Sequence, residues 1–353
     1  MPGWKARTMS RLSFEKRVEI IAHLVECTGV RATARLCKVD LKTVLTLLIL
    51  VGRGCMRLHD RYVRGLAITR VECDEIEVTL HTRDKNLKGH EPPEYGWVWT
   101  YTAIATVCKL MIAYRTAAHG RTHEATDAFM WDVRRRLTVI PELVTDGLSL
   151  YEAGVARSFG LAVDYAMLVK TPSKKGKKEG IPFVQKRKVV GDPDMDRVST
   201  SYVERVNGTI RDHTRRFARR TRFHSKKLEN HEAAFALFAA YYNFGRIHST
   251  LKTTPACAAG IVSEPWSLAR LVEEALAAEE APPIEPEPLR PREGEHKTAR
   301  ELPEGRGWLR VIDGGKTKPG IVKVPGAAPL KREPPVKPAP QRPMKQLDLF
   351  PNE

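Results

Sequence analysis

Three acidic residues stand where the surrounding pattern leaves their side chains something to do. Asp74 lies in the run Val71–Leu80, where acids at 72, 75 and 77 alternate with apolar residues at 71, 73, 76 and 78. It breaks that alternation by falling beside Glu75, and an Asp inside a strand is disfavoured. The plain alternative is a solvated acidic strand face. Asp146 closes the short run Glu142–Asp146 before Gly147, which is also an ordinary turn signal. Glu204 sits one turn into a helix that quickly becomes basic. From Arg205 to Lys227, seven Arg and two Lys oppose one Asp, a local charge of 9 − 1 = +8. A basic helix alone suggests simple binding, whereas a carboxylate at its head suggests chemistry on a bound polyanion. Ser201-x-x-Glu204 also reads as a capping box, in which the Glu side chain reaches back to the Ser backbone N–H.

The elements that must position these acids form a recognisable order. Trp97–Val107 and Lys109–Thr116 read as strands that pair and extend a sheet with the Asp74 strand. His123–Leu137 reads as a helix, Glu142–Asp146 as a strand, Ser149–Phe159 as a helix and Ala162–Val169 as a strand. The order β-β-β-α-β-α-β-α fits an α/β fold with a mixed sheet flanked by helices. On the Glu204 helix, Glu204, Asn207 and Arg211 share one face and Val203, Val206 and Ile210 another. Trp97 and Trp99 are candidates to stack on a splayed base or to fill the core.

Between the last strand and the Glu204 helix, residues 170–199 read as a basic insertion. Lys170 to Lys188 holds eight basic residues and one acid, Lys174, Lys175, Lys186, Arg187 and Lys188 among them. It reads as a loop that orders on DNA, or as a solvated charged loop. Glu75, Glu77, Asp192, Asp194 and Asp196 are nearby acids that compete for the same assignment, although Glu75 is expected on the opposite sheet face from Asp74, so that only one of the pair faces a metal.

Residues 10–60 read as a helix-turn-helix domain. Phe14, Val18, Ile21 and Val25 form an apolar stripe, Ala32–Val39 a short second helix, and Asp40 caps a third over Leu41–Leu48. Lys42, Thr43 and Thr46 are the candidate base contacts, with packing of this unusually apolar helix on a partner as the alternative. Residues 66–260 form the core and 261–280 a C-terminal helix. From residue 281 the chain turns Pro-rich, with 15 of its 24 prolines in the last 73 residues. Such a tail cannot bury enough apolar surface to fold, and is expected to be disordered. It ends in Gln346, Leu347, Asp348, Leu349 and Phe350, three apolar anchors in a peptide suited to docking.

Composition bounds the rest. The 353 residues carry a net charge of +17, which favours nucleic acid as partner. No apolar run approaches membrane-spanning length, and the N-terminus lacks a signal-peptide pattern, so a cytoplasmic, nucleoid-associated location is expected. The six cysteines form no C-x-x-C pair and read as reduced thiols, with no zinc site or disulfide frame.

Two further segments make the pattern specific. Tyr242-Asn243-x-x-Arg246-x-His248-x-x-Leu251, followed by Thr254-Pro255-Ala256, resembles the sequence that closes integrase-type cores, and Val203-Glu204-Arg205-x-Asn207 resembles the segment carrying the third acid in insertion-sequence transposases. Residues 10 to about 275 thus resemble bacterial DDE transposases with a ribonuclease-H-like catalytic core. That resemblance implies Asp74, Asp146 and Glu204 as catalytic metal ligands for two Mg²⁺ or Mn²⁺ ions, spaced about 3.5–4 Å apart. The Asp146–Glu204 spacing of 204 − 146 = 58 exceeds the shortest form of the motif, and the basic insertion accounts for the excess. It implies cleavage and joining of DNA, with terminal inverted repeats and target DNA as partners and a homo-oligomer to hold two ends. Arg205, Asn207, Arg211, Arg215, Arg216, Arg219, Arg220, Arg246 and His248 become DNA-binding candidates, although Asn207 and His248 also suit buried structural roles. The terminal pentapeptide closely resembles the one by which bacterial proteins bind the DNA-polymerase sliding clamp. The competing readings are a non-catalytic DNA-binding regulator and a nuclease that cuts without joining.

Overall fold

The computed structural model describes residues 12–280, apart from Pro93, His119, 174–179 and Arg220, and leaves aside the side chains of 171–182. The Pro-rich tail with Gln346–Phe350, and the candidates Lys174, Lys175 and Arg220, lie outside the described residues.

The chain is an α/β protein built on one six-stranded mixed sheet. The strands are β1 (Arg70–Leu80), β2 (Gly96–Ala105), β3 (Met111–Ala117), β4 (Glu142–Asp146), β5 (Asp164–Ser173) and β6 (Gly180–Val190), in the order β3-β2-β1-β4-β5-β6. β1 pairs antiparallel with β2 and parallel with β4, and β4 pairs parallel with β5. The sheet thus has its acid-bearing strands β1 and β4 side by side at its centre. Their lengths differ, and the difference matters. β4 ends at Asp146, while β1 runs on for seven residues past Cys73, its last partner on that side.

Helices cover both faces. α4 (His123–Arg136) and α5 (Leu150–Phe159) lie on one face, reached by Tyr101, whose ring packs tilted against Phe129 and edge-on to Tyr151. α6 (Ser201–His213) and α7 (Leu228–Ala240) lie on the other, reached by Thr102 and Thr100 through Asn207 and His231. The register Asp74↔Thr102 and Glu75↔Tyr101 puts Asp74 on the α6 side and Glu75 on the α5 side, as strand alternation requires.

Before the sheet come α1 (Phe14–Val25), α2 (Val30–Leu36) and α3 (Leu41–Tyr62). The third helix is 22 residues long rather than the eight expected, and it is a packing helix. Val44, Leu47, Leu48, Val51, Cys55 and Leu58 are buried in one core continuous with the sheet. Two glycines allow its close approach to its neighbours. A Cβ on Gly52 would fall 2.5 Å from the Ala233 Cβ of α7, and one on Gly54 only 1.8 Å from the Ala275 carbonyl oxygen of α9 (Leu268–Glu280). The C-terminal helix therefore begins at Leu268, seven residues later than expected, after Trp266 has stacked on Phe244.

Among the described residues of the basic insertion, those up to Ser173 and from Gly180 to Val190 are strand rather than loop. Lys186, Arg187 and Lys188 lie on β6, which pairs antiparallel with β5 from Tyr165↔Val190 to Ser173↔Gly180. Phe183, Val184, Val189 and Val190 supply its strand propensity, and the charged residues suit an edge that must not recruit further strands.

The closing segment is structural in detail. A π-helical turn, Tyr241–Gly245, aims Asn243 at the edge strand β3. Its carboxamide accepts from Met111 N–H (3.0 Å) and donates to Met111 C=O (2.9 Å), and the Tyr242 hydroxyl donates to Lys109 C=O (3.0 Å). Thr254 caps the short helix α8 (Pro255–Ala258), whose first residue, Pro, has no N–H to satisfy.

Candidate metal centre

The site forms where β4 stops. Carboxyl oxygens of Asp74, Glu75 and Asp146 all lie within 4.8 Å of one another. The expectation that only one of Asp74 and Glu75 could face a metal is overturned. The two start on opposite faces, but β1 has no β4 neighbour beyond Cys73, so the longer Glu75 side chain meets the others at the open edge. Its side chain is only 3% exposed.

Each carboxylate is held by specific groups. Asp74 accepts from the Asn207 carboxamide (2.9 Å) and from Glu75 N–H (2.8 Å), and Thr102 donates to the same carboxamide (3.3 Å). Glu75 accepts from Arg121 (3.0 Å) and from the Tyr151 hydroxyl (3.2 Å). The Arg121 guanidinium lies 4.1 Å over the Trp99 ring, which fixes its height above the acids. Asp146 accepts from Leu148 N–H (3.2 Å), the bond of an Asx-type turn.

Crowding shifts the acids' titration. Burial, then the neighbouring Asp146, pushes Asp74 up to about 7. Burial and the same neighbours also raise Glu75, with Arg121 opposing, and burial raises Asp146. Without further positive charge, the cluster retains protons that ordinary carboxylates release. All three offer only oxygen, a donor set suited to hard divalent cations.

Glu204 stands beside this cluster rather than in it. It is near enough for its charge to raise both Asp74 and Asp146. Its carboxylate, however, accepts from the Thr200 hydroxyl (2.6 Å) and forms an ion pair with Lys170. Burial raises Glu204, but these partners outweigh burial and leave it below the usual range. The capping box is corrected as well. Thr200, not Ser201, precedes the helix; the Ser201 N–H donates to the Ser199 hydroxyl (3.0 Å), and the next two N–H groups, of Tyr202 and Val203, go to Glu72 at 2.8 and 3.0 Å. Glu72, 1% exposed on β1, is thus the cap that sequence reading missed. Its only sequence sign was a second strand acid two residues before Asp74, and its partners lie 130 residues away.

Several DNA-binding candidates sit elsewhere than an exposed binding face. Asn207 is buried against Asp74, Thr43 is buried in the core, and Arg216 turns inward to Asn230 C=O (2.8 Å) and Ser225 (3.0 Å). Lys186 donates to Met195 and Asp196 carbonyls, Arg187 pairs with Glu152, and Lys188 pairs with Asp192. Lys42, Arg205, Arg215 and Arg219 are exposed, and Thr46, Arg211, Arg246 and His248 are half-buried. Burial and the charges of Lys109, Arg246 and Arg205 lower the His248 imidazole, so these cations gather at one place.

A cleft of about 790 Å³ lies past Glu77 on β1. Four cations, Arg83, Lys85, Arg211 and Arg219, and two acids, Glu77 and Asp84, line it with Trp97, which is 42% exposed rather than core. Arg211 feels the charges of both Asp74 and Glu77, so the cleft and the acid cluster adjoin. Among the described residues, no helix is long and apolar enough to cross a membrane. No protein-family model matches the chain, and no curated protein matches it.

Proposed function

We propose that the protein is a DNA transposase of the DDE type, with a ribonuclease-H-like core that cuts and joins DNA at the acid cluster. The convergence of Asp74 and Asp146 carries this reading. They are 146 − 74 = 72 residues apart in sequence, yet meet where β4 ends beside the middle of the parallel strand β1. The strand order β3-β2-β1-β4-β5 and a following acid-bearing helix support it. So do the cation-lined cleft beside the acids and the net charge of +17.

Asp74, Asp146 and Glu75 are the residues that would hold divalent ions of the Mg²⁺ or Mn²⁺ class, with Glu204 as a further acid at the rim. Bound there, such ions supply Lewis acidity and charge neutralisation for in-line displacement at a phosphodiester. The chain's own residues do the positioning. Asn207, held by Thr102, fixes the orientation of the Asp74 carboxylate. Tyr151 and Arg121 fix Glu75. Arg83, Lys85, Arg211 and Arg219 draw in phosphates, and Trp97 offers a surface on which an unpaired base can stack. In the N-terminal helices, which serve here as the helix-turn-helix, Lys42 on the first turn of α3 is the exposed candidate for phosphate contact.

The test uses purified protein, Mg²⁺ and DNA bearing the element's ends. Cleavage and strand transfer are expected, with a loss of at least about 10³-fold in Asp146→Asn, the equivalent of about 4 kcal/mol of transition-state stabilisation. Binding without cleavage by the wild type would point to a regulator, and cleavage without joining to a nuclease. Full activity in Asp146→Asn would overturn the site assignment.

A further inference from the structure

A second group of metal-competent side chains lies far from the acid cluster in sequence, on the N-terminal helices. Glu19, His23 and Cys37 each present one ligand atom, and these atoms all lie within 4.8 Å of one another. Glu19 and His23 are one turn apart on α1, so they share a face. Cys37 is the residue that ends α2, and its side chain points into the junction between the two helices, where it is 1% exposed. The three residues therefore come from two helices joined only by Glu26–Gly29, and no sequence spacing announced them.

We propose that Glu19, His23 and Cys37 form a binding site for a borderline divalent cation of the Zn²⁺ type, which staples α1 to the end of α2. The donor set is one carboxylate oxygen, one imidazole nitrogen and one sulfur. The sulfur and nitrogen favour Zn²⁺ over the Mg²⁺ class that suits the all-oxygen cluster at Asp74. Bonds of about 2.0–2.3 Å in tetrahedral array place ligand atoms roughly 3.3–3.8 Å apart, so separations below 4.8 Å need only side-chain adjustment. Three protein ligands leave a fourth position for water.

Two groups must give way. The Lys16 ammonium donates to Glu19 at 2.7 Å, and a cation held between the three ligands replaces that positive charge. Burial, then Glu19, raises the Cys37 thiol, so it is protonated in the metal-free chain. On binding, the S–H bond breaks, the sulfur–metal bond forms, and the proton leaves to solvent. Glu19 is exposed and His23 half-buried, which gives the ion a path from solvent to the sulfur.

Co²⁺ titrated into the full, reduced chain tests this, because thiolate-to-cobalt charge transfer is absorbed only where sulfur is a ligand. One equivalent is expected to produce the band, and Zn²⁺ to displace it. Cys37→Ser is expected to abolish the band. His23→Gln, a change at a half-buried position that keeps the fold, is expected to weaken Co²⁺ binding at least about tenfold. Cys27→Ser is expected to leave it unchanged. Zn²⁺ is expected to raise the melting temperature of the wild type but not of His23→Gln. No band in the wild type, a band that survives Cys37→Ser, or equal Co²⁺ affinity in His23→Gln would each overturn the proposal. None of these readouts depends on DNA or on the acid cluster.

Discussion

Two buried charged groups in this molecule are built in opposite ways. At the junction of α3 and α4, Arg136 is 6% exposed and every nitrogen has a partner. It donates to the carbonyls of Val63 (3.0 Å) and His59 (3.4 Å) and to the carboxylates of Asp60 and Asp132, both at 3.1 Å. At the end of β4, three carboxyl groups crowd together with one guanidinium, that of Arg121, in direct contact. The first group is compensated, and its geometry explains itself as structure. The second keeps an excess of negative charge in a half-buried place, a cost to folding that a bound cation removes. Burial of charge alone therefore does not mark a functional site. Burial with uncompensated charge of one sign is the feature that supports the proposed metal site.

Removing charge from the two groups is expected to act with opposite signs. Arg136→Met takes the donor from the Val63 carbonyl and one of two arginines from each of Asp60 and Asp132, which keep Arg64 and Arg135, and is expected to cost about 1–3 kcal/mol, read as a lower denaturant midpoint. Asp74→Asn relieves the crowding. Without metal it is expected to leave the midpoint unchanged or raised. A loss in Asp74→Asn as large as that in Arg136→Met would erase the distinction between the regions.

The pH dependence of metal-free stability sharpens it. Asp74 titrates near 7 in the folded chain, against about 3.9 for an unfolded Asp. Between those values the folded state holds the extra proton, so this group's contribution is present below about pH 4 and is lost as pH rises towards 7. The slope is at most about 1.4 kcal/mol per pH unit for each proton. His231 behaves inversely. Burial, then Arg216, holds it down to about 3, so its contribution is present above about 6.5 and is lost as pH falls. Asp74→Asn is expected to reduce the loss between pH 4 and 7, where Glu75, also pushed up to about 7, keeps its own share, and to leave the His231 limb intact. An unchanged profile in Asp74→Asn would mean that the acid is not crowded as described.

The sequence carried a good part of this site. Asp74 was legible because it broke a local rule, an acid inside a strand, and Asp146 because it closed a short apolar strand, although Asp-Gly there is also an ordinary turn signal. The first five strands, the two helices between them and the helix bearing Glu204 were legible from apolar periodicity. Glu75 was not, because alternation describes a fully paired strand, and β1 loses its β4 neighbour just there. Glu72 was not, because its partners are backbone groups of a helix 130 residues on. The β6 strand was hidden by lysines that sit at a sheet edge, where charge and strand are compatible. The expected third helix stopped at Leu48, and the turns it lacked hold Gly52 and Gly54, the points at which α7 and α9 come close.

Glu204 tests the boundary of the uncompensated region. It lies between the two types, close enough to raise Asp74 and Asp146, yet paired with Lys170. Both partners of that pair are more than 40% exposed, so the bond itself contributes under about 1 kcal/mol. Lys170→Ala is accordingly expected to change the metal-free midpoint by no more than that. Its effect belongs to metal binding. If Glu204 is a ligand that Lys170 restrains, the variant frees it and binds Mg²⁺ more tightly by calorimetry, and the gain disappears in Lys170→Ala with Glu204→Gln. If Glu204 is only a neighbouring charge, losing the lysine deepens the negative potential, and the gain persists at reduced size when Glu204 is neutralised. The double variant thus separates a ligand from a bystander through an exposed contact whose own energy is small.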